Sequence, residues 1–345
     1  MSGVSAPAFP DGLLPLLELP VADVLAGLGR VTLCVNDPPW SRIAATLPAP
    51  VRVVHAGDMD LAHLESLLAQ ETDGDAVVGL GGGSAIDTAK FIAWKTGKTL
   101  VQVPTITSVD AAFTDAIGVR VDGRVRYVGK LLPQQVVLDI PLVQSAPKHM
   151  NRAGMGDVLS CHTGLWDWRT SVAAGKGVPW HDAAAALGAT LLAELDAAAD
   201  DIHAVSADGV RWIASAYRRV GAACAQLRHS RFEEGAEHFL AYTYEHLTAQ
   251  HPLHGELIAL FVFVASELQG NQADAVRELI TRTGVRAHPE DLGLDEASFV
   301  HTLRSAREYA RREDLDHSVL DEREIDAVRG HAAWRSACML PRVLV

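Results

Sequence analysis

Between Ala76 and Lys95 a β-rich apolar run, Ala76 to Leu80, passes through Gly79, Gly81, Gly82 and Gly83 into a segment whose apolar residues Ala85, Ile86, Ala89, Ile92 and Ala93 share one helical face. A strand, a glycine turn and a helix in that order confine the surrounding chain to few architectures, because a strand handed directly to a helix is the repeating unit of a parallel sheet. The flanking sequence agrees. Val31 to Val35, Val51 to His55 and Leu100 to Val103 are further short β-rich runs with helix-like stretches between them. The first part of the chain is therefore expected to be an α/β domain with a parallel, Rossmann-like sheet.

Ile117 to Val121 and Arg124 to Val128 flank Asp122-Gly123, a dipeptide suited to the positive φ angles of a two-residue hairpin turn. After Val136 to Leu138 and Pro141 the alternation stops. Helical patterns follow at roughly 148 to 170, 179 to 199, 206 to 229, 233 to 247, 253 to 269 and 297 to 313. The Ala-rich stretch 183 to 200 reads as helix propensity, and no internal repeat is present. At 345 residues the chain suits two domains, 1–147 as the α/β domain and 148–345 as an all-helical one, with a ligand cleft between them.

With 43 acidic against 30 basic side chains the net charge is -13, and no Lys or Arg stripe is available to neutralise a phosphate backbone, so nucleic acid is not an expected partner. Local cations in a pocket could still receive a small anion. Met1 to Pro20 has no basic region before its apolar stretch and carries Asp11 and Glu18, unlike a signal peptide. The apolar stretch Leu257 to Ala265 is far shorter than the ~20 residues that cross a bilayer and is expected to be a buried helix, so no membrane association is expected. Cys34, Cys161, Cys224 and Cys338 form no CxxC pair and read as reduced thiols of a cytoplasmic protein.

The glycine turn has two readings. Successive glycines let a backbone approach a pyrophosphate while the helix N-terminus faces it, and small residues also serve plain strand-to-helix packing. Ser84 could cap the helix, with Asp87 three residues later in the place a capping box gives to Glu.

The run Gly79-Leu80-Gly81-Gly82-Gly83-Ser84-Ala85-Ile86-Asp87-Thr88-Ala89-Lys90 is followed by Val103-Pro104-Thr105-Ile106-Thr107-Ser108-Val109-Asp110 and then by Ala153-Gly154-Met155-Gly156-Asp157-Val158-Leu159-Ser160 with Asp167-Trp168. Gly235-Ala236-Glu237-His238 and His254-Gly255-Glu256 complete the series. In this order the motifs resemble the iron-containing alcohol dehydrogenase superfamily, which also holds glycerol dehydrogenases and 3-dehydroquinate synthases, and they look most like its glycerol-1-phosphate dehydrogenase branch. The resemblance spans about residues 30 to 260. It implies a dehydroquinate synthase-like fold, a nicotinamide cofactor and a divalent metal held by one carboxylate and two histidines, here Asp157, His238 and His254. Dehydroquinate synthases carry Glu at the first of these positions, so Asp157 favours the dehydrogenases. The resemblance also puts Gly81, Gly82, Gly83 and Ser84 along the cofactor pyrophosphate, with Asp87 counted beside them, Thr105 and Ser108 near the cofactor, and Asp110 against the substrate.

His238 and His254 stand sixteen residues apart, ~24 Å along one straight helix, too far to share an ion ~2 Å from each nitrogen. Pro252, suited to the first turn of a new helix, provides the break that lets them converge. His246 and His251 are competing histidines, and His251, three residues before His254, is read as a proton-relay or solvent-face residue. The ligand set suits Zn²⁺ or Fe²⁺, and the resemblance favours zinc. Lys130, and with it Arg126, are candidates to meet a substrate phosphate or are solvated strand-edge charges, and Lys148 and Arg152 are further cations. Asp37, just past the Val31 to Val35 strand, could bond an adenosine ribose and leans toward NAD over NADP.

The expected activity is metal-dependent hydride exchange between NAD(P) and a small polyol or polyol phosphate, by a homo-oligomer. A sugar-phosphate cyclase using NAD transiently is the alternative, and a catalytically silent protein of the same fold a third reading. Residues 111–115 are bulkier than the glycine-bearing stretch of the branch, and the sequence beyond Glu256 departs from its pattern.

Overall fold

Residues 12–70 and 74–343 are described by a computed structural model. The reading of Met1 to Asp11 lies outside the described residues. Eight strands are present among them: β1 (Leu16–Leu17), β2 (Val31–Val35), β3 (Arg52–His55), β4 (Ala76–Gly81), β5 (Thr99–Pro104), β6 (Ala116–Val121), β7 (Arg124–Lys130) and β8 (Gln135–Val137). Six form one sheet in the order β1-β8-β5-β4-β2-β3, with every pair parallel. Helices α1 (Val21–Gly27), α2 (Pro39–Ile43), α3 (Leu61–Leu68) and α4 (Gly83–Thr96) connect its strands. Every residue of β2 and β4 is buried, which is why both read as continuous Val- and Leu-rich runs rather than alternating ones.

The register Val35↔Leu80 and Leu80↔Val103 ends β2, β4 and β5 level with one another. Asn36, Gly82 and Thr105 consequently meet at one carboxyl edge of the sheet, the edge at which parallel α/β sheets bind ligands. β6 and β7 form a separate antiparallel hairpin whose turn residues Asp122 and Gly123 have φ of 52° and 71°, as the Asp-Gly dipeptide demands.

From Ile140 onward the chain is helical: α5 (Ile140–Gln144), α6 (Lys148–Arg152), α7 (Met155–Leu159), α8 (Cys161–Ala173), α9 (Asp182–Ala204), α10 (Ala207–Leu227), α11 (Ala236–Thr248), α12 (His254–Gln269), α13 (Ala273–Thr283), α14 (Glu296–Arg312), α15 (Val319–Glu322) and α16 (Ala327–Ala337). α12 is the axis of this region. Leu257 through Ala265 are all buried around its whole circumference, the signature of a central helix. Trp168, Tyr217, Phe232, Phe261, Phe263 and Phe299 pack in the same cluster. Among the described residues no helix is long and apolar enough to cross a membrane.

The pattern at 148 to 170, read as one helix, is three. Backbone contact accompanies the first break, where a Cβ on Gly154 would collide with the Thr107 carbonyl oxygen; inside α7, one on Gly156 would collide with the Gly255 carbonyl. Asn151 reinforces the first bend, its Oδ1 accepting the Thr107 N–H at 3.1 Å and its amide donating to Val143 O at 2.8 Å. The bends aim Asp157 at the carboxyl edge of the sheet. α13, α15 and α16 lie outside the helical patterns read from the sequence.

Candidate metal and dinucleotide site

Three elements deliver one group of side chains. α7 carries Asp157, the first turn of α11 carries His238, and α12 begins at His254. α11 ends with Ala249 in the left-handed region, and the connection 249–253 returns the chain to start α12 beside the start of α11. Pro252 lies in that connection, one residue before the N-cap Leu253, rather than in the first turn. Asp157, His238 and His254 each offer a ligand atom, all within 4.8 Å of one another, and the two imidazole rings are 5.5 Å apart between centroids.

The convergence depends on close backbone approach. A Cβ on Gly255 would collide with the Ala153 carbonyl and stand 2.9 Å from Ser108 O, so α12 reaches α7 and the loop after β5 only with glycine there. Asp157 is buried, and its Oδ2 accepts the Asp110 N–H at 3.2 Å. Its Oδ1 is buried with no hydrogen-bond partner, 3.4 Å from His254 Nε2. An orphaned carboxylate oxygen in a dry setting is costly, and one that faces two imidazoles is matched by a cation.

Electrostatics around the group are acidic. Burial and the neighbouring Asp157 push the Asp110 carboxyl up to about 7. For His238, burial disfavours the charged ring, but Glu237 and Glu234 outweigh it and raise the ring to about 10. Burial and Asp110 likewise hold Glu233 well above the usual carboxylate range. This crowding of buried carboxyls favours positive charge at the centre of the group.

At the glycine turn the local capping reading does not hold. Gly82, not Ser84, occupies the N-cap of α4, no side chain caps it, and Ser84 sits inside the first turn. The Ser84 hydroxyl accepts from Asn36 Nδ2 at 2.9 Å, while Asn36 Oδ1 takes the Gly82 N–H at 2.9 Å. Asn36 therefore holds the turn in shape, a role sequence reasoning missed although the residue directly follows β2. Gly79 and Gly81 serve packing: a Cβ on Gly79 would strike the Gln102 side chain, and one on Gly81 would lie 2.7 Å from the Ala85 Cβ. Gly82, Gly83 and Ser84 are only partly buried and leave the uncapped helix terminus open. Thr105 and Ser108 are buried in the adjoining loop, with Thr105 donating its N–H to Gly81 O at 3.0 Å and keeping its hydroxyl oxygen without a partner.

Other sequence-predicted residues fall elsewhere. Asp87 turns from the helix terminus toward the hairpin, 3.4 Å from Lys90 Nζ, and burial raises its carboxyl against the pull of that ammonium. Asp37 is exposed, accepts the Ser41 N–H and lies 3.0 Å from His55 Nδ1. Lys130 is exposed beside Asp115 at 3.4 Å, and Arg126 is paired with Glu313, the residue that follows α14. Arg152 donates to His203 O, and Lys148 is on the surface. His251 precedes α12, is half exposed and lies 3.4 Å from Glu245, outside the three-residue group. His246 packs against Tyr309, also outside it. Glu237, fully buried 2.9 Å from His238 Nδ1, went unread; its place directly before a candidate metal-binding histidine was the available signal.

A six-stranded parallel sheet followed by a helical region is the dehydroquinate synthase-like architecture. Across 94% of the chain it matches a probable glycerol dehydrogenase from Sinorhizobium meliloti 1021 with a TM-score of 0.71 and 22% identity, covering 96% of that structure. Residues 41–147 match the family described as iron-containing alcohol dehydrogenase. A glycerol-1-phosphate dehydrogenase [NAD(P)+] of Hyperthermus butylicus is 30% identical over 270 residues, 77% of this chain and 73% of the relative. Another, of Aeropyrum pernix, is 26% identical over 323 residues, 90% of each. The chain belongs to the iron-containing alcohol dehydrogenase superfamily, on its glycerol-1-phosphate dehydrogenase branch.

Proposed function

We propose that this chain is a metal-dependent, NAD(P)-linked dehydrogenase that interconverts a small polyol phosphate and its ketone. The carrying observation is the convergence of Asp157, His238 and His254 from three helices, with Asp157 Oδ1 lacking any protein partner. One carboxylate and two imidazoles fit a divalent cation; the donor set suits Zn²⁺ and Fe²⁺ alike, and Zn²⁺ is the reading we adopt on the resemblance to the zinc-using glycerol and glycerol-phosphate branches. Such a cation supplies Lewis-acid polarisation of a hydroxyl or carbonyl oxygen, and the nicotinamide gives or takes the hydride.

The protein's own groups supply binding and proton handling. Gly83 and Ser84, at the open N-terminus of α4, offer backbone N–H groups to a pyrophosphate, while Gly82, its own N–H held by Asn36, leaves room for the close approach. Thr105 and Ser108 line the loop between this turn and the metal group. Asp110, held beside Asp157 and titrating near neutrality, is placed to bond a substrate hydroxyl and exchange its proton. Lys130 is the cation assigned to a substrate phosphate, on release from Asp115. Asp37, two residues past β2, is the acidic side chain we assign to an adenosine ribose, which favours NAD over NADP.

The division into 1–147 and 148–345 puts the two halves on either side of this site. The edge strand β1 with exposed Leu13, Leu17 and Leu19 supports a homo-oligomer, and four free cysteines support a reducing, cytoplasmic setting. The relatives' dehydrogenase names favour net hydride exchange over a cyclase. Metal-depleted protein supplied with NADH and a ketose phosphate tests the reading. Oxidation of NADH that returns with Zn²⁺ and is lost in Asp157→Ala supports it; Zn²⁺-independent activity, or full activity in Asp157→Ala, rejects it.

A further inference from the structure

Glu237 has no exposed surface, although it is charged and sits in the first turn of α11. Its Oε1 accepts the Gly235 N–H at 2.6 Å and lies 2.9 Å from His238 Nδ1; its Oε2 accepts the Thr163 hydroxyl at 2.7 Å. An ionised carboxylate only accepts, so the Nδ1 contact keeps a proton on that ring nitrogen and leaves Nε2 as the atom offered toward Asp157 and His254. We propose that Glu237 is a positioning residue that fixes the ring orientation and tautomer of His238, and so sets the affinity of the Asp157–His238–His254 group for a divalent cation. The inference rests on the metal reading given above.

The carboxylate is held from behind. Thr163 comes from α8, and a Cβ on Gly235 would stand 2.7 Å from Asp167 Oδ2 and 3.2 Å from Glu237 Oε2. Asp167 in turn takes the Ala236 N–H and the Val319 N–H, each at 2.7 Å. If Glu237 swung away, the buried Gly235 N–H and Thr163 hydroxyl would each lose a partner. Asp167 already satisfies the Ala236 N–H in the first turn, so helix capping alone does not account for a second carboxylate buried beside the first. A histidine bonded through Nδ1 to a carboxylate that is itself anchored is the arrangement that pre-sets a metal-binding imidazole.

The test is Zn²⁺ titration of the metal-free protein against a chromophoric chelator, with thermal unfolding of each metal-free variant in parallel. Glu237→Ala is expected to weaken Zn²⁺ binding by about 10–100-fold, and Glu237→Gln, which keeps an acceptor oxygen in the same shape, by less. Variants that bind Zn²⁺ within twofold of wild type while melting lower would overturn the proposal and make Glu237 a structural residue only. If Glu237→Ala does not fold, Glu237→Gln decides: unchanged Zn²⁺ affinity overturns the proposal, and weakened affinity with unchanged melting supports it. Wild-type protein that binds no better than His254→Ala removes the metal reading itself, and the positioning role with it.

Discussion

Gly156→Ala sets two effects of opposite sign against each other. Gly156 lies inside α7, where helix propensity alone favours alanine by about 0.5–1 kcal/mol. The Cβ, however, would stand 2.9 Å from the Gly255 carbonyl carbon and nearer still to its oxygen. Ordinary contact begins at 3.4 Å, so that carbon must retreat by 3.4 - 2.9 = 0.5 Å and the oxygen by more. Both partners are backbone, so rotation of a side chain cannot relieve the clash. α7 and α12 must separate, and those two helices carry Asp157 and His254. Overpacking of this kind costs about 1–3 kcal/mol, which exceeds the propensity gain. Metal–ligand distances tolerate only about ±0.2 Å, so a shift of this size cannot leave both ligands in place. Gly156→Ala should therefore lower the melting temperature of the metal-free protein modestly and weaken Zn²⁺ binding at least tenfold, read by chelator competition. Tight Zn²⁺ binding in a Gly156→Ala protein would refute the claim that glycine contacts build the site.

Four further outcomes follow from the same contacts. Asn36→Ala removes the acceptor of the Gly82 N–H and the donor to Ser84, and should raise the Kd for NADH by fluorescence titration while leaving Zn²⁺ affinity unchanged. Leu260→Ala, in the fully buried middle of α12, should cost about 2–5 kcal/mol in denaturant unfolding. Glu313→Ala leaves Arg124 and Arg126 of the hairpin without the carboxylate they share, and its stability loss should shrink as salt is raised. Burial and Glu237 raise Asp167 to about 7, so its folded pKa lies above the unfolded one. That contribution is complete below pH 4 and fades as pH rises to about 7; melting temperatures of Asp167→Asn should show a shallower fall across that window than wild type.

The parallel sheet was legible because β2 and β4 are buried on both faces, which forces continuous apolar runs, and because Asp122-Gly123 admits few alternatives to a tight hairpin. α12 was legible for the same reason. The single helix read over 148 to 170 fails in part on a tertiary cause: the Thr107 carbonyl that packs against Gly154 at the first break is remote in sequence, so periodicity cannot register it. α13 presents one buried face, Val276, Ile280 and Thr283, but over only eleven residues, and α16 buries little beyond Gly330 and Ala337; neither was read. Within the site, the motifs singled out Asp157, His238 and His254, and the fold brings these together. His251 was read by its spacing from His254, but α12 starts at His254 itself, which leaves His251 in the preceding connection beside Glu245. Asn36 and Glu237 touch the site only through Gly82, Ser84 and His238, and such indirect contacts leave no spacing pattern.

The account stands or falls on where a divalent cation sits. Crystals grown with Zn²⁺ and measured on either side of the zinc absorption edge locate it directly. An anomalous peak about 2.0–2.2 Å from an Asp157 carboxylate oxygen, His238 Nε2 and a His254 ring nitrogen is the predicted result. Density in which these three side chains point apart, or a zinc peak bound elsewhere with this group empty, would contradict it.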